Sequence, residues 1–307
     1  MPRQQVDAPR GRERELLPDP FWAADNASLI GQRRAVAWYR AQILLVLLAA
    51  LVGIFSWEAG GIDFAPLAAV LCFLAAGAFA LQLRRRNPQQ LWYDGRAAAE
   101  SVKTLAWKYV VRAQPFDGEG VSDAADANFL KQAQEVVAMF ADSGVFPPGA
   151  RAAVSDRMRR LRAAPLQVRR DLYLRERVLA QRTWYQSRAQ EFESKSSMWG
   201  LRTLVLLLIG AVLAFAETFL DMGWHALGLV AAGVSSITAW SQLKQFRPLA
   251  AAYRMAEREL DEILIQLQRL DAARPDAEEE WAGLVRDAED AVSREHTLWL
   301  ARRQFTR

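Results

Sequence analysis

Four apolar runs, arranged as two close pairs and stopped each time by basic residues, leave this chain few ways to fold. The runs are 41–57, 64–83, 203–216 and 222–243. About 20 residues cross a bilayer core at a rise of about 1.5 Å each. The second and fourth runs meet that length and the first is short but sufficient. The third reaches it as about 199–219, with Arg202 snorkelling outward and Glu217 at the far interface. A mean hydropathy of −0.06 hides this segregation, because the rest of the chain is rich in charged residues.

The links within each pair are EAGGID (58–63) and ETFLDMG (217–223), so each pair is predicted to be an antiparallel helical hairpin. Neither link holds lysine or arginine. The opposite flanks hold Arg33, Arg34, Arg40, Arg84, Arg85, Arg86, Lys195, Arg202, Lys244 and Arg247. Basic residues stay on the cytoplasmic side, and an arginine at mid-membrane costs about 2.5–3.5 kcal/mol. The pattern therefore predicts a multi-pass membrane protein. Both termini and the segment between the hairpins are expected in the cytoplasm.

The helices are expected to continue beyond the lipid. Pro88 and Pro248 follow the basic boundaries, each with a tyrosine five residues on, Tyr93 and Tyr253. Proline lacks a backbone donor, so a kink or break is expected at each. Leu249, Tyr253, Ala256, Leu260, Ile263, Leu267 and Leu270 then recur at spacings of four and three, a coiled-coil seam. Leu91, Ala98, Val102, Leu105 and Tyr109 form a weaker stripe, and Val178, Tyr185, Phe192 and Trp199 another. Pairing within one chain and between chains are both open at this level.

The fold class that follows is an all-α membrane protein: two tandem transmembrane hairpins, four spans, with long cytoplasmic helices in coiled-coil-like bundles. The expected divisions are a flexible tail over 1–20, a first two-span module over 21–145 and a second over 146–307. The parallel between AWYRAQILLVLLAALVGIFSWEAG (37–60) and MWGLRTLVLLLIGAVLAFAETFLD (198–221) suggests a tandem duplication in one orientation.

Small residues recur at every fourth position of two spans, at Ala68, Cys72, Ala76 and Ala80 and at Gly228, Ala232 and Ser236. Such stripes admit close helix packing, within a hairpin or between subunits. Ser235, Ser236, Thr238 and Ser241 are candidate pore-lining hydroxyls. The same groups can instead bond their own helix carbonyls. Glu58, Asp63, Glu217 and Asp221 would ring an outer mouth that mildly favours cations.

The residues that flank these spans carry a family resemblance. LPDPFWAADNASLIGQRRAVAWYR (17–40) and LWYDGRAAAESVKTLAWKYVVRAQPF (91–116) resemble a SLATT domain of the third type. VSDRMRRLRAAPLQVRRDLYLRERVLAQRTWYQSRAQEFESKSSMW (154–199) and VSREHTLW (292–299) resemble one of the first type. The resemblance implies two-transmembrane effectors of bacterial conflict systems, associated with nucleotide-generating and nucleotide-sensing proteins. It further implies an oligomeric pore, in a bacterial inner (cell) membrane, that depolarises or kills an infected cell. A trigger would then come from a separate cytoplasmic sensor or a nucleotide signal.

Enzymatic chemistry is not expected. His225 and His296 lack ligand-spaced partners, and no phosphate-binding, dinucleotide, zinc-protease or nucleophile-elbow motif occurs. Cys72 stands alone, so no catalytic, cofactor or metal site is expected. The net charge of +4 gathers beside the apolar runs, which favours lipid over nucleic acid as the partner. Two functions remain: an oligomeric membrane pore gated through cytoplasmic helices, or a non-conducting scaffold that recruits a cytoplasmic partner through them.

Overall fold

The computed structural model describes residues 11–118, 123–219 and 226–304. A short 3-10 helix, Gly11–Leu16, leads into α1 (Asp19–Val52). A two-residue ladder of β1 (Glu58–Ala59) and β2 (Ile62–Asp63) turns the chain into α2 (Phe64–Arg86), followed by α3 (Pro88–Val111) and α4 (Asp123–Met139). Then come α5 (Asp156–Arg162), α6 (Leu166–Tyr173), a π-helical turn over Leu174–Leu179, α7 (Ala180–Phe219), α8 (Leu227–Lys244), α9 (Phe246–Arg269) and α10 (Ala277–Gln304).

These elements form two compact units, and neither is a continuous piece of sequence. One takes residues up to 32, 89–188 and 252 onward; the other takes 33–88 and 189–251. Each compact unit draws on both halves of the chain.

The first unit has the interior of a water-soluble helical protein. Phe21, Trp107, Tyr109, Phe129, Tyr173 and Trp281 are buried in it. Trp107 and Trp281 each meet Tyr173 edge-on, with centroids 5.7 Å apart. Trp184 and Tyr185 of α7 lie 5.4 and 5.8 Å from Tyr253 of α9, and Arg182 is ion-paired with Asp261. Two of the sequence stripes therefore meet inside one chain in this unit. Of the tail expected over 1–20, residues 1–10 lie outside the described ones and the rest is packed. Leu16 and Leu17 are buried, and Glu13 is bound to Lys103 at 3.1 Å and to the Trp107 indole at 3.0 Å. Burial of the leucines and the charge pair hold this segment against α3.

The second unit is built the other way round. Its buried apolar residues are mostly alanines: Ala35, Ala49, Ala65, Ala76, Ala189 and Ala250. Its large side chains face outward, as Leu44, Phe73, Leu74, Leu201, Leu208, Val212 and Phe215 do. In water that arrangement exposes what should be hidden. In lipid it costs nothing, because the tails are as apolar as leucine and small residues let helix backbones approach. Among the described residues, three helical stretches are long and apolar enough to cross a membrane: Asp19–Val52, Phe64–Val111 and Leu166–Phe219. The apolar windows of the three are 11%, 11% and 0% buried. The fourth expected run is only partly described. Its helix α8 closes on Gln242 and Lys244, which lower its apolar average, and residues 222–225 lie outside the described ones.

Both helix breaks beside the basic boundaries take the left-handed conformation. Asn87 has φ 36° and donates its N–H to the Leu83 carbonyl at 3.0 Å; Gln245 has φ 48° and donates to Ser241 at 2.8 Å. Pro88 is the first residue of α3 and Pro248 the third of α9. The prolines thus sit in first turns, where a missing N–H leaves no helical bond unmade. Each break itself falls before its proline.

Candidate functional site

The acidic link of the first hairpin is a tight turn. Glu58 pairs with Asp63 and Ala59 with Ile62, and Gly60 and Gly61 take φ of 61° and 79°. Two successive positive φ values are what a two-residue turn between antiparallel strands needs, and glycine supplies them without strain. Asp63 has a definite structural task there. Its Oδ1 accepts the N–H groups of Trp57 and Ala65, each at 3.0 Å, and so caps α2. Those two donors hold its carboxyl below the usual range. Glu58 is exposed in the same turn. Glu217 lies in the last turn of α7, and Asp221 lies outside the described residues.

The hydroxyl group of residues lies along α8. Ser235 and Thr238 are exposed, and Ser236 and Ser241 are half-buried. Thr238 donates to the Val234 carbonyl of its own helix at 2.9 Å. Of the small-residue stripes, Ala76 is buried and Ala68, Cys72 and Ala80 are half-buried on one face of α2. On α8, Ala232 and Ser236 are half-buried and Gly228 is exposed. α7 and α8 also meet at two glycines that the spacing argument passed over. A methyl at Gly210 would stand 3.1 Å from Val230, and one at Gly233 would stand 3.4 Å from Leu206.

The first unit holds a network of buried charges that the sequence did not single out. Glu289 of α10 accepts bonds from Arg177 at 2.7 and 2.9 Å, from Tyr173 at 2.9 Å and from Thr104 at 3.0 Å. Burial works against the charge of Arg177, but the Glu289 carboxylate outweighs it and the net shift is upward. Burial and the same carboxylate raise the Tyr173 phenol. Arg177 lies in the π-helical turn that precedes α7.

Two further buried arginines bind main-chain carbonyls. Arg162 donates to the carbonyls of Tyr109, Phe116 and Gly118 at 2.9, 2.7 and 3.0 Å. Arg169 donates to Ala164 and Val111 at 2.9 and 2.8 Å, and pairs with Glu278. They satisfy the carbonyls left where α3 ends at Val111 and where the loop after it turns. Desolvation lowers the pKa of both. Arg162, Arg169 and Arg177 are thus interior struts. Periodicity alone hides this, since a buried arginine and a solvated one occupy the same helical positions.

In the same unit, the charge of Glu100 on α3 bears on Asp25 of α1. Burial first, and then Glu100, lift its carboxyl from 3.8 to about 6, against Arg96 and Lys103. No group of three or more His, Cys, Asp or Glu among the described residues is placed to hold a metal.

A helical protein in which outward-facing apolar helices accompany a separate unit with an aromatic core is a membrane-associated protein. Comparison with family models gives the narrower class. Residues 18–170 match SMODS and SLOG-associating 2TM effector domain 3, and residues 173–299 match SMODS and SLOG-associating 2TM effector domain 1. The chain belongs to this SLATT family, with a type 3 domain followed by a type 1 domain. Neither curated proteins nor solved structures gave a match.

Proposed function

We propose that this chain is a non-enzymatic membrane effector of a bacterial conflict system that assembles into an oligomeric, weakly selective pore in the inner membrane. One observation carries the reading. In the second unit small residues lie inside and large apolar ones face out, as in lipid. Two domains whose family description specifies two transmembrane segments each support a count of four spans. The arginine flanks support entry of both hairpins from the cytoplasm, with both termini on that side. On this reading the exposed hydroxyls of Ser235 and Thr238 face a water path between subunits, and the Glu58 turn lies at its outer mouth. The first unit is where a separate cytoplasmic sensor or a nucleotide signal would act.

The test is conductance of the purified full-length chain in a planar bilayer, with insertion verified by protease protection. Stepwise, weakly cation-selective currents are expected. An inserted protein that passes no current under any voltage or cytoplasmic addition would instead be the scaffold that recruits a partner through its helices.

A further inference from the structure

Arg202 of α7 is a charge set among side chains that face lipid. Leu201, Leu204 and Val205 beside it are exposed, and so is Arg202 itself. Its guanidinium carbon lies 4.6 Å from the centroid of Trp199, so the side chain runs back towards the start of the helix. From Arg202 to the end of α7 at Phe219 the helix rises about 25 Å, close to the thickness of a bilayer core. Arg202 therefore stands at one edge of that core, where guanidinium groups snorkel to the headgroups and tryptophan is enriched. α2 ends in a similar way. Arg84, Arg85 and Arg86 form its last turn, and all three are exposed.

Among the described residues none of these four arginines is ion-paired. Glu58 and Asp63 lie before the first turn of α2, and Glu217 lies near the end of α7, away from Arg202. Glu191 is engaged by Lys195. The Trp199 face attracts a cation but does not neutralise it. Little water reaches a guanidinium between lipid-facing leucines, so its charge needs an anion that comes with the lipid. A phosphodiester meets that need, because a guanidinium binds two of its oxygens at once. A zwitterionic headgroup brings its own ammonium and stays neutral. An anionic one keeps a net negative charge against three arginines in one helical turn.

We infer that Arg202, on its Trp199 platform, and the turn Arg84–Arg86 bind the phosphates of anionic phospholipid headgroups. The setting of the residues selects lipid over a nucleic acid or a free anion. Arg202 stands between exposed leucines, and the three arginines close an apolar helix. This inference rests on the membrane reading and is independent of conduction.

Native mass spectrometry of the full-length chain in detergent, titrated with phosphatidylglycerol and with phosphatidylcholine, tests it. Wild type is expected to retain phosphatidylglycerol at lower concentrations than phosphatidylcholine. Arg202→Gln should weaken that retention about fivefold, and Arg84→Gln, Arg85→Gln and Arg86→Gln together about a hundredfold. Arg151→Gln, Arg160→Gln and Arg175→Gln together remove the same charge from exposed positions of the first unit and should change nothing. Should the α2 triple variant not fold, its three single substitutions make the comparison at about fivefold each. Equal retention of the two lipids, or an equal loss in the first-unit variant, would overturn the site. Millimolar inorganic phosphate should leave the lipid bound, and displacement would assign the arginines to a free anion. An oligothymidylate that displaces the lipid would assign them to nucleic acid. Liposome flotation separates this inference from the reading beneath it. A chain that floats but prefers neither lipid defeats this inference alone, and one that does not float defeats the membrane reading with it.

Discussion

Arg177 and Glu289 stand 112 positions apart in the sequence and meet at 2.7 Å in a fully buried ion pair. Tyr173 and Thr104 complete the carboxylate's bonding, so α3, α10, α6 and the π-helical turn that precedes α7 are joined at one group. Removing one partner leaves an uncompensated charge in the interior. Glu289→Ala and Arg177→Ala are each expected to destabilise the first unit by about 3–5 kcal/mol. Replacing both by apolar residues of similar volume, as in Arg177→Met with Glu289→Leu, should recover much of that loss. Thermal melts in detergent would decide. A single variant that melts with wild type would refute the strut.

Gly95 of α3 is a point of backbone contact with α1. A methyl group there would stand 2.7 Å from the Ser28 nitrogen and 2.9 Å from the Ala24 carbonyl oxygen. Ser28 adds a hydrogen bond to the Trp92 carbonyl at 3.0 Å. Neither backbone can yield without moving a helix. Gly95→Ala is therefore expected to cost about 1–3 kcal/mol, although alanine is the better helix former. Chemical denaturation followed by tryptophan fluorescence measures it. A gain in stability would show that the helices separate at little cost.

Asp25 gives a pH dependence with a defined sign. Its carboxyl titrates near 6 in the folded protein against 3.8 ordinarily. Between those values the folded state holds a proton that the unfolded chain has released, so stability falls as pH rises through about 4 to 6. Asp25→Asn should remove this component and gain most, relative to wild type, at neutral pH. Melting temperatures of both proteins from pH 4 to 7 are the measurement, and parallel curves would exclude the effect. Asp25 precedes the apolar run of α1, so the titration belongs to the first unit.

The turn at Gly60 and Gly61 tests the direction of the first hairpin. With Cys72→Ser as background, a cysteine at Ala59 should react with a membrane-impermeant thiol reagent added to intact spheroplasts. A cysteine at Gln89 should react only after lysis. Labelling of Ala59→Cys from the cytoplasmic side alone would reverse the proposed topology.

The apolar runs, the basic flanks and the helix breaks beside Pro88 and Pro248 were legible in the sequence. Each is set by neighbours a few residues apart: a run of apolar side chains, a cluster of basic ones, a proline after that cluster. The stripes through Tyr185 and Tyr253 were visible for the same reason, but whether they pair inside one chain was not. Gly95, Gly210 and Gly233 gave no signal, because a glycine needed for close approach looks like any other until the opposing helix is in place.

By itself the sequence determined which segments prefer lipid, which are helical, and where the charge boundary falls, since these depend on composition and spacing along the chain. Only the tertiary structure decided that arginines at 162, 169 and 177 are interior struts, and that each compact unit draws on both halves of the chain. Those outcomes depend on groups far apart in sequence. A charge becomes a strut only when folding supplies a distant acceptor and removes the water that would otherwise solvate it.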